Sequence, residues 1–257
     1  MKIVQLVDHH SENMGYSDVC LSKNIAGLSQ EVFVISSTLR ANYNQKNYDK
    51  VYGQFHSEFN PIEKFKFING YKLYRLKYIK TPFGFYLKGL FTLLKKVQPD
   101  VVQVGEANSF LVFQAFIYNF FIRYVLTVEC HIHLSVFMPA KKFNTYIFAH
   151  YLKYQMRKIQ SKIYKILVKK IFSKKIKMCY AISQDSHHIA IKYLGFEKKN
   201  TKIFSLGTDL NIFKPDLEIA ENLRFELGFK ENDIICIYTG RLDDQKKPHL
   251  LSEAILK

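Results

Sequence analysis

The sequence predicts an α/β protein: a Rossmann-like, doubly wound, mostly parallel sheet, followed by an incomplete second domain of the same kind. Three observations carry this. Short apolar runs alternate with amphipathic segments along most of the chain, the pattern of repeated βα units. The 257 residues are 48% hydrophobic, enough to bury a core and too apolar for a disordered chain. Near the C-terminus a further apolar run, a glycine and a helical pattern start a new βα unit.

The elements follow in order. Ile3–Val7 is a first buried strand, too short for the apolar region of a signal peptide. Val19–Leu28 has helical spacing, with Leu21, Ile25 and Leu28 on one face. Glu31–Ser36 is a second strand. Thr38 to Pro61 is polar and predicted to be a long loop. Lys72–Tyr78 alternates and suits an edge strand, and Phe83–Val97 suits an amphipathic helix. Val101–Val104 is a strand after the turn Pro99-Asp100. Phe110 to Val128 is the most apolar stretch. Gln114, Asn119 and Arg123 interrupt it, and Phe110–Ile122 falls short of the ~20 residues a bilayer span needs. A buried helix followed by the strand Tyr124–Val128 is therefore expected. Met178–Ile182, Gln184–Leu194 and Lys202–Leu206 give strand, helix and strand. Leu217–Leu227 is a helix that Gly228 can cap.

Charge and cysteines narrow the class. The formal net charge is +16, which favours a phosphate-bearing partner. Cys20, Cys130, Cys179 and Cys236 are widely spaced without a C-x-x-C pair. The last three lie in apolar runs, as buried free thiols in a reducing cytosol would. No cluster has metal-ligand spacing, so no metal or other cofactor is expected.

The apolar run Ile234–Ile237 leads into Tyr238-Thr239-Gly240-Arg241-Leu242-Asp243-Asp244-Gln245-Lys246, and Leu250, Leu251, Ala254 and Ile255 recur at helical spacing. A buried strand, a glycine turn and a helix start would bring free N–H groups and two cations, Arg241 and Lys246, to one place. That is an anion site in outline.

The pattern G-R-L-x-x-x-K at Gly240–Lys246 resembles the opening of the second domain in glycosyltransferase family 4, retaining enzymes of GT-B fold. Further landmarks occur in the family's order. Gly15-Tyr16 stands where the family has a glycine loop. Leu28–Ile35 resembles "GHEVxVIT", with Ser29-Gln30 for Gly-His. Pro99–Val104 resembles "PDVVHVH", with Gln103 and Gly105 in place of its two histidines. Tyr180–Ser183 is similar to a strand ending "xxISE", and Leu206–Pro215 to "NGVDxxxFxP". The departures at Gln30, Gln103 and Gly105 indicate a divergent branch.

The resemblance implies residues 1–215 as the N-terminal, acceptor-side domain and 216–257 as a crossover helix plus the start of a truncated nucleotide-sugar-binding domain. It implies that Arg241, Lys246 and Gly15 contact the donor diphosphate, which gathers charge as the glycosidic bond breaks. It implies a histidine near the transferred sugar at the end of strand Tyr124–Val128. His131 is the candidate, with His133 and Glu129 as alternatives of register. The family's paired-glutamate motif and nucleoside pocket have no counterpart in this sequence. The expected partners are a nucleotide-sugar donor at an incomplete site, a glycan or lipid-linked acceptor and a complementing C-terminal polypeptide; no nucleic acid is expected.

Between Lys141 and Lys177 stand twelve Lys or Arg and no Asp or Glu. Leu152, Met156, Ile159, Ile163, Leu167 and Ile171 recur at helical spacing, and Lys158, Lys162, Lys165 and Lys169 recur on another face. This predicts a basic amphipathic helix suited to an anionic membrane leaflet, with the protein in the cytoplasm or peripheral on the inner face of the cell membrane. Two functions are compatible with all of this: the acceptor-side part of a glycosyltransferase that builds a surface polysaccharide or glycolipid, inactive alone, or a non-catalytic membrane-associated module that binds an acceptor or partner.

Overall fold

A computed structural model describes residues 1–40, 48–53, 65–81, 84–133, 159, 162–163, 165–172, 175–210, 213–230, 232–240 and 247–255. The chain divides into two units, Met1–Gly207 and Thr208–Lys257.

The first unit is built on an eight-stranded sheet. Its strands are β1 (Lys2–Leu6), β2 (Glu31–Ser37), β3 (Phe65–Ile68), β4 (Tyr71–Leu76), β7 (Val101–Val104), β8 (Val125–Cys130), β9 (Ile176–Ala181) and β10 (Thr201–Ile203). They lie in the order β10-β9-β8-β7-β1-β2-β4-β3. All neighbours are parallel except β3 and β4. The strand order reverses at β1, with β2 on one side and β7 on the other. Such a switch opens a crevice beyond the strand C-termini where α/β proteins take ligands.

Alternation along the strands makes two apolar faces. Val4, Leu6, Phe33, Ile35, Val102, Val104, Leu126 and Val128 join the main core. Leu90 and Leu94 of helix α3 (Leu90–Val97) and Leu111, Ala115 and Phe116 of helix α4 (Phe110–Tyr118) pack there too. On the other face Val32, Val34, Tyr71 and Leu73 meet Ile25 and Ala26 of helix α1 (Ser17–Gly27). Two of the polar interruptions of the apolar stretch, Gln114 and Asn119, are structural, and Arg123 is exposed. Gln114 accepts from the backbone N–H of Leu87 at 2.9 Å and donates to its carbonyl at 3.1 Å. Asn119 donates to the Tyr124 carbonyl at 2.6 Å. Each buried amide thus satisfies backbone that would otherwise be costly to bury. Among the described residues no helix is long and apolar enough to cross a membrane.

Several expectations are corrected. The segment expected to form the helix Phe83–Val97 instead forms a strand, β6 (Gly84–Leu87), before α3 begins; β6 pairs antiparallel with β5 (Tyr78–Thr81). Gly84 at φ 122° and Gly89 at φ 80° take backbone that interrupts a helix. The Thr38–Pro61 loop contains a short helix, α2 (Tyr48–Tyr52). The alternating segment near Lys72 is not the sheet edge, because β3 pairs outside β4. Leu28 lies beyond the end of α1 and is 73% exposed. Helix Gln184–Ile189 continues as a π-helical turn, Ala190–Leu194, and ends at Gly195 with φ 89°. A Cβ on Gly195 would meet the Lys165 carbonyl at 2.9 Å, so only glycine fits.

The second unit contains the helix Leu217–Glu226, capped by the Asp216 carboxylate accepting from Ile219 N–H at 3.0 Å, and the helix His249–Ile255. The expected strand Ile234–Ile237 is not formed. Ile234 and Ile237 are 94% and 76% exposed, and Cys236 is exposed rather than buried. A lone apolar run needs a neighbouring strand to satisfy its backbone, and among the described residues of this unit none pairs with it. Cys130 and Cys179 are buried as expected.

Candidate functional site

The residues just beyond β1, β7 and β8 are polar although they sit at the top of an apolar sheet: Val7-Asp8-His9-His10 after β1, Gly105-Glu106 after β7, and His131-Ile132-His133 after β8. The parallel register aligns Leu6 with Val104 and Val104 with Val128, so these strand ends come to one level. Gly105 belongs to this junction for a steric reason. A Cβ there would lie 2.9 Å from Cγ1 of Val7, a stiff β-branched side chain. Its N–H donates to the Leu6 carbonyl at 2.8 Å.

Asp8 and Glu106 are the partly buried acids of the site. Burial pushes Asp8 up to about 6, partly opposed by the Ser109 hydroxyl, which donates to Oδ1 at 3.0 Å. Ser109 also caps α4, accepting from Leu111 N–H at 3.1 Å, so one hydroxyl ties the start of that helix to the end of β1. Burial likewise pushes Glu106 up to about 7, against the opposing effect of His131. The Glu106 carboxylate accepts from the backbone N–H of Ala107 at 3.0 Å.

His131 and Glu129, alternatives in the sequence, form one unit. Nε2 of His131 lies 2.6 Å from Oε2 of Glu129. The other Glu129 oxygen accepts from the Gln103 amide. Burial pushes the imidazole down, but the hydrogen bond and charge of Glu129, with Glu106, outweigh this and hold it above the ordinary histidine value. His133 is exposed and faces Asp185 at 3.4 Å. The departure at Gln103 therefore has a local purpose: its amide orients the acid that orients His131. His9 is pushed down by burial. Among the described residues no group of three or more His, Cys, Asp or Glu is arranged to hold a metal ion.

The loop from β1 to α1 is anchored below this cluster. His10 is 1% exposed, with Nδ1 2.5 Å from Asp18 and Nε2 3.0 Å from the Tyr71 hydroxyl. Glu12 meets the buried guanidinium of Arg75 at 2.5 Å and Lys66 at 3.4 Å. Burial pushes the Glu12 carboxyl up, but its own backbone N–H, Arg75 and Lys66 outweigh this and hold it below the ordinary glutamate value. The loop then turns outward. Gly15 is exposed, and a Cβ there would meet nothing within 4 Å. Arg241 and Lys246 lie outside the described residues.

Asp8, Glu106, His9, Glu12 and Arg75 were not singled out in the sequence. Only the rule that ligands gather beyond the strand ends at a switch point would have pointed to Asp8 and Glu106. Two partly buried acids and an acid-paired imidazole form a set of hydrogen-bond donors and acceptors suited to a polyhydroxylated ligand, with groups that hold or release protons near neutrality.

These two acids make stability depend on pH. Each carboxyl has a higher value folded than unfolded, so its contribution is fully present below about pH 4 and is lost as pH rises through about 6 for Asp8 and about 7 for Glu106. His131, also raised, is lost in the same direction, while His9, lowered, runs the other way. Chemical denaturation should therefore show lower stability at pH 8 than at pH 5.5, by roughly a few kcal/mol. Glu106→Gln should flatten the profile. A profile unchanged in this variant would show that Glu106 does not titrate in that range.

No protein-family model matches the chain, and no curated protein matches it. Solved structures do. HepE (Alr3699) from Anabaena, solved with UDP, superposes with a TM-score of 0.60 at 17% identity over 99% of this chain and 57% of its own. Sucrose-phosphate synthase from Thermosynechococcus elongatus gives 0.59 at 12% identity, over 99% and 59% respectively. A glycosyltransferase from Rickettsia africae gives 0.58 at 12%, over 99% and 56%. The chain thus spans less than two thirds of the length of these structures. The likeness establishes the fold: a mostly parallel, doubly wound α/β architecture of the Rossmann-like, GT-B type.

Proposed function

We propose that the chain is the acceptor-side part of a retaining, family 4-type glycosyltransferase that moves a sugar from a nucleotide-sugar donor to a glycan or lipid-linked acceptor, in the synthesis of a surface polysaccharide or glycolipid. The observation that carries the reading is the cluster of Asp8, Glu106 and the Glu129-paired His131 at the switch point, on a fold shared with a UDP-bound protein. HepE has also been solved with UDP-glucose; that likeness, at a TM-score of 0.54, supports a nucleotide-sugar donor.

His131 sits at the strand end and presents its imidazole to the transferred sugar, with Glu129 and Gln103 fixing its direction. The raised acids bind hydroxyls of donor or acceptor. Gly15 lets the β1–α1 loop approach the diphosphate, and the open space around it is what such an approach requires. Arg241 and Lys246 neutralise the leaving diphosphate in place of a metal. On this reading the donor's sugar and ribose contacts come from a complementing polypeptide, so the purified 257-residue chain should show no turnover with any nucleotide sugar. A sugar-transfer assay checks this, and robust transfer by residues 1–257 alone would overturn the need for a complementing polypeptide.

A further inference from the structure

Strand β3 is the outermost strand of the eight-stranded sheet, and among the described residues no strand pairs with its outer side. An open edge of this kind is a template for another strand. Its sequence is Phe65-Lys66-Phe67-Ile68. Alternation puts the two phenylalanines on one face and Lys66 and Ile68 on the other. On that other face Ile68 packs against the cluster of Val32, Val34, Tyr71 and Leu73, and Lys66 reaches Glu12 at 3.4 Å. A lysine is a common guard of an open edge. Here it is matched by an acid of its own chain, on the face away from the phenylalanines.

The phenylalanine face ends an aromatic row that crosses three strands. Phe33 of β2 stacks on Tyr74 of β4 with ring centroids 6.4 Å apart, and Tyr74 meets Phe65 at 5.0 Å. Along this row burial falls towards the rim: Phe33 is 5% exposed, Phe65 47% and Phe67 65%. Single exposed apolar residues are ordinary, but two on one face of an open edge strand continue a row that has no next strand. The triplet Phe65-Lys66-Phe67 also reads the same in both directions. An antiparallel strand pair can have a two-fold axis, and residues directly opposite each other share a face. With the axis at Lys66, Phe65 of each copy stands opposite Phe67 of the other, and all four rings lie on one face. The two Lys66 side chains meet on the other face, where each has its own Glu12, so the axis does not bring bare like charges together.

We propose that two copies of this chain pair through β3, antiparallel and about a two-fold axis at Lys66, so that their sheets join into one. The exposed parts of Phe65 and Phe67 come to roughly 200 Å² per copy, taking about 200 Å² for a whole phenylalanine side chain. The contact is therefore small for a specific interface, and its dissociation constant is on the order of micromolar. The inference is independent of the glycosyltransferase reading.

The test is sedimentation equilibrium of the full 257-residue chain over roughly 1–100 μM, where a monomer–dimer equilibrium is expected. Phe67→Lys puts a charge into the aromatic row and should weaken the dimer at least tenfold, roughly. Phe67 is mostly exposed, so this variant should melt with the parent. Lys66→Cys tests the register, in a chain that also carries Cys20→Ser and Cys236→Ser to remove the exposed thiols. Opposed Cα atoms of an antiparallel pair lie about 4.5–5.5 Å apart, within disulfide reach, so mild oxidation should link this variant into a covalent dimer. A monomer throughout the concentration range, a dimer that survives Phe67→Lys, or a Lys66→Cys chain that dimerises without cross-linking would each overturn the proposal.

Discussion

Glu12→Ala is expected to destabilise the first unit by about 3–5 kcal/mol, the largest single-residue effect on folding. Arg75 is 2% exposed and Glu12 8% exposed, and the two meet at 2.5 Å. Removing the carboxylate leaves the buried guanidinium without the Glu12 charge, which costs far more than the pair contributes over an apolar substitute. Arg75→Met should cost less than Glu12→Ala, because Lys66 stays within 3.4 Å of the Glu12 carboxylate, which can also take up a proton. Half-exposed Lys72, which meets Glu31 at 2.6 Å and lies over the Phe33 ring, is the control; Lys72→Gln should cost about 1 kcal/mol or less. Thermal melts of the four proteins check the order. A Glu12→Ala protein melting with the parent would show that the ion pair does not hold the β1–α1 loop.

Arg241→Ala and Lys246→Ala are expected to lower kcat on the order of a hundredfold or more in an enzyme made whole by a complementing C-terminal polypeptide. On the proposed chemistry both cations oppose charge that grows only as the diphosphate leaves. Their loss should therefore appear in kcat rather than in KM alone. Arg241→Lys should rescue partly, since a point charge replaces a two-pronged donor. Steady-state kinetics decide; full kcat in both alanine variants would remove these residues from the donor site.

Periodicity located the central strands β1, β2, β7 and β8 because they are largely apolar runs covered on both faces, and such runs are legible locally. The β5–β6 ribbon was not, since Gly84–Leu87 reads as the first turn of α3 unless the backbone at Gly84 and Gly89 is known. Ile234–Ile237 failed the opposite way. Its composition suits a strand, but a strand exists only through its neighbours. The site was half legible. His131 and Glu129 stood at a recognisable strand end, whereas Asp8, Glu106 and the Glu12–Arg75 pair have no spacing signature. Glu12 and Arg75 are brought together by the parallel arrangement of β1, β2 and β4, which local sequence does not encode.

The central claim is a retaining transfer from a nucleotide sugar, and the anomeric configuration of the product tests it most directly. Residues 1–257 combined with a complementing C-terminal polypeptide should transfer a sugar to a glycan or lipid-linked acceptor. The proton NMR spectrum of the first-formed product should show the anomeric configuration of the donor. A product of inverted configuration, or no transfer by the combined enzyme with any nucleotide sugar, would contradict the account.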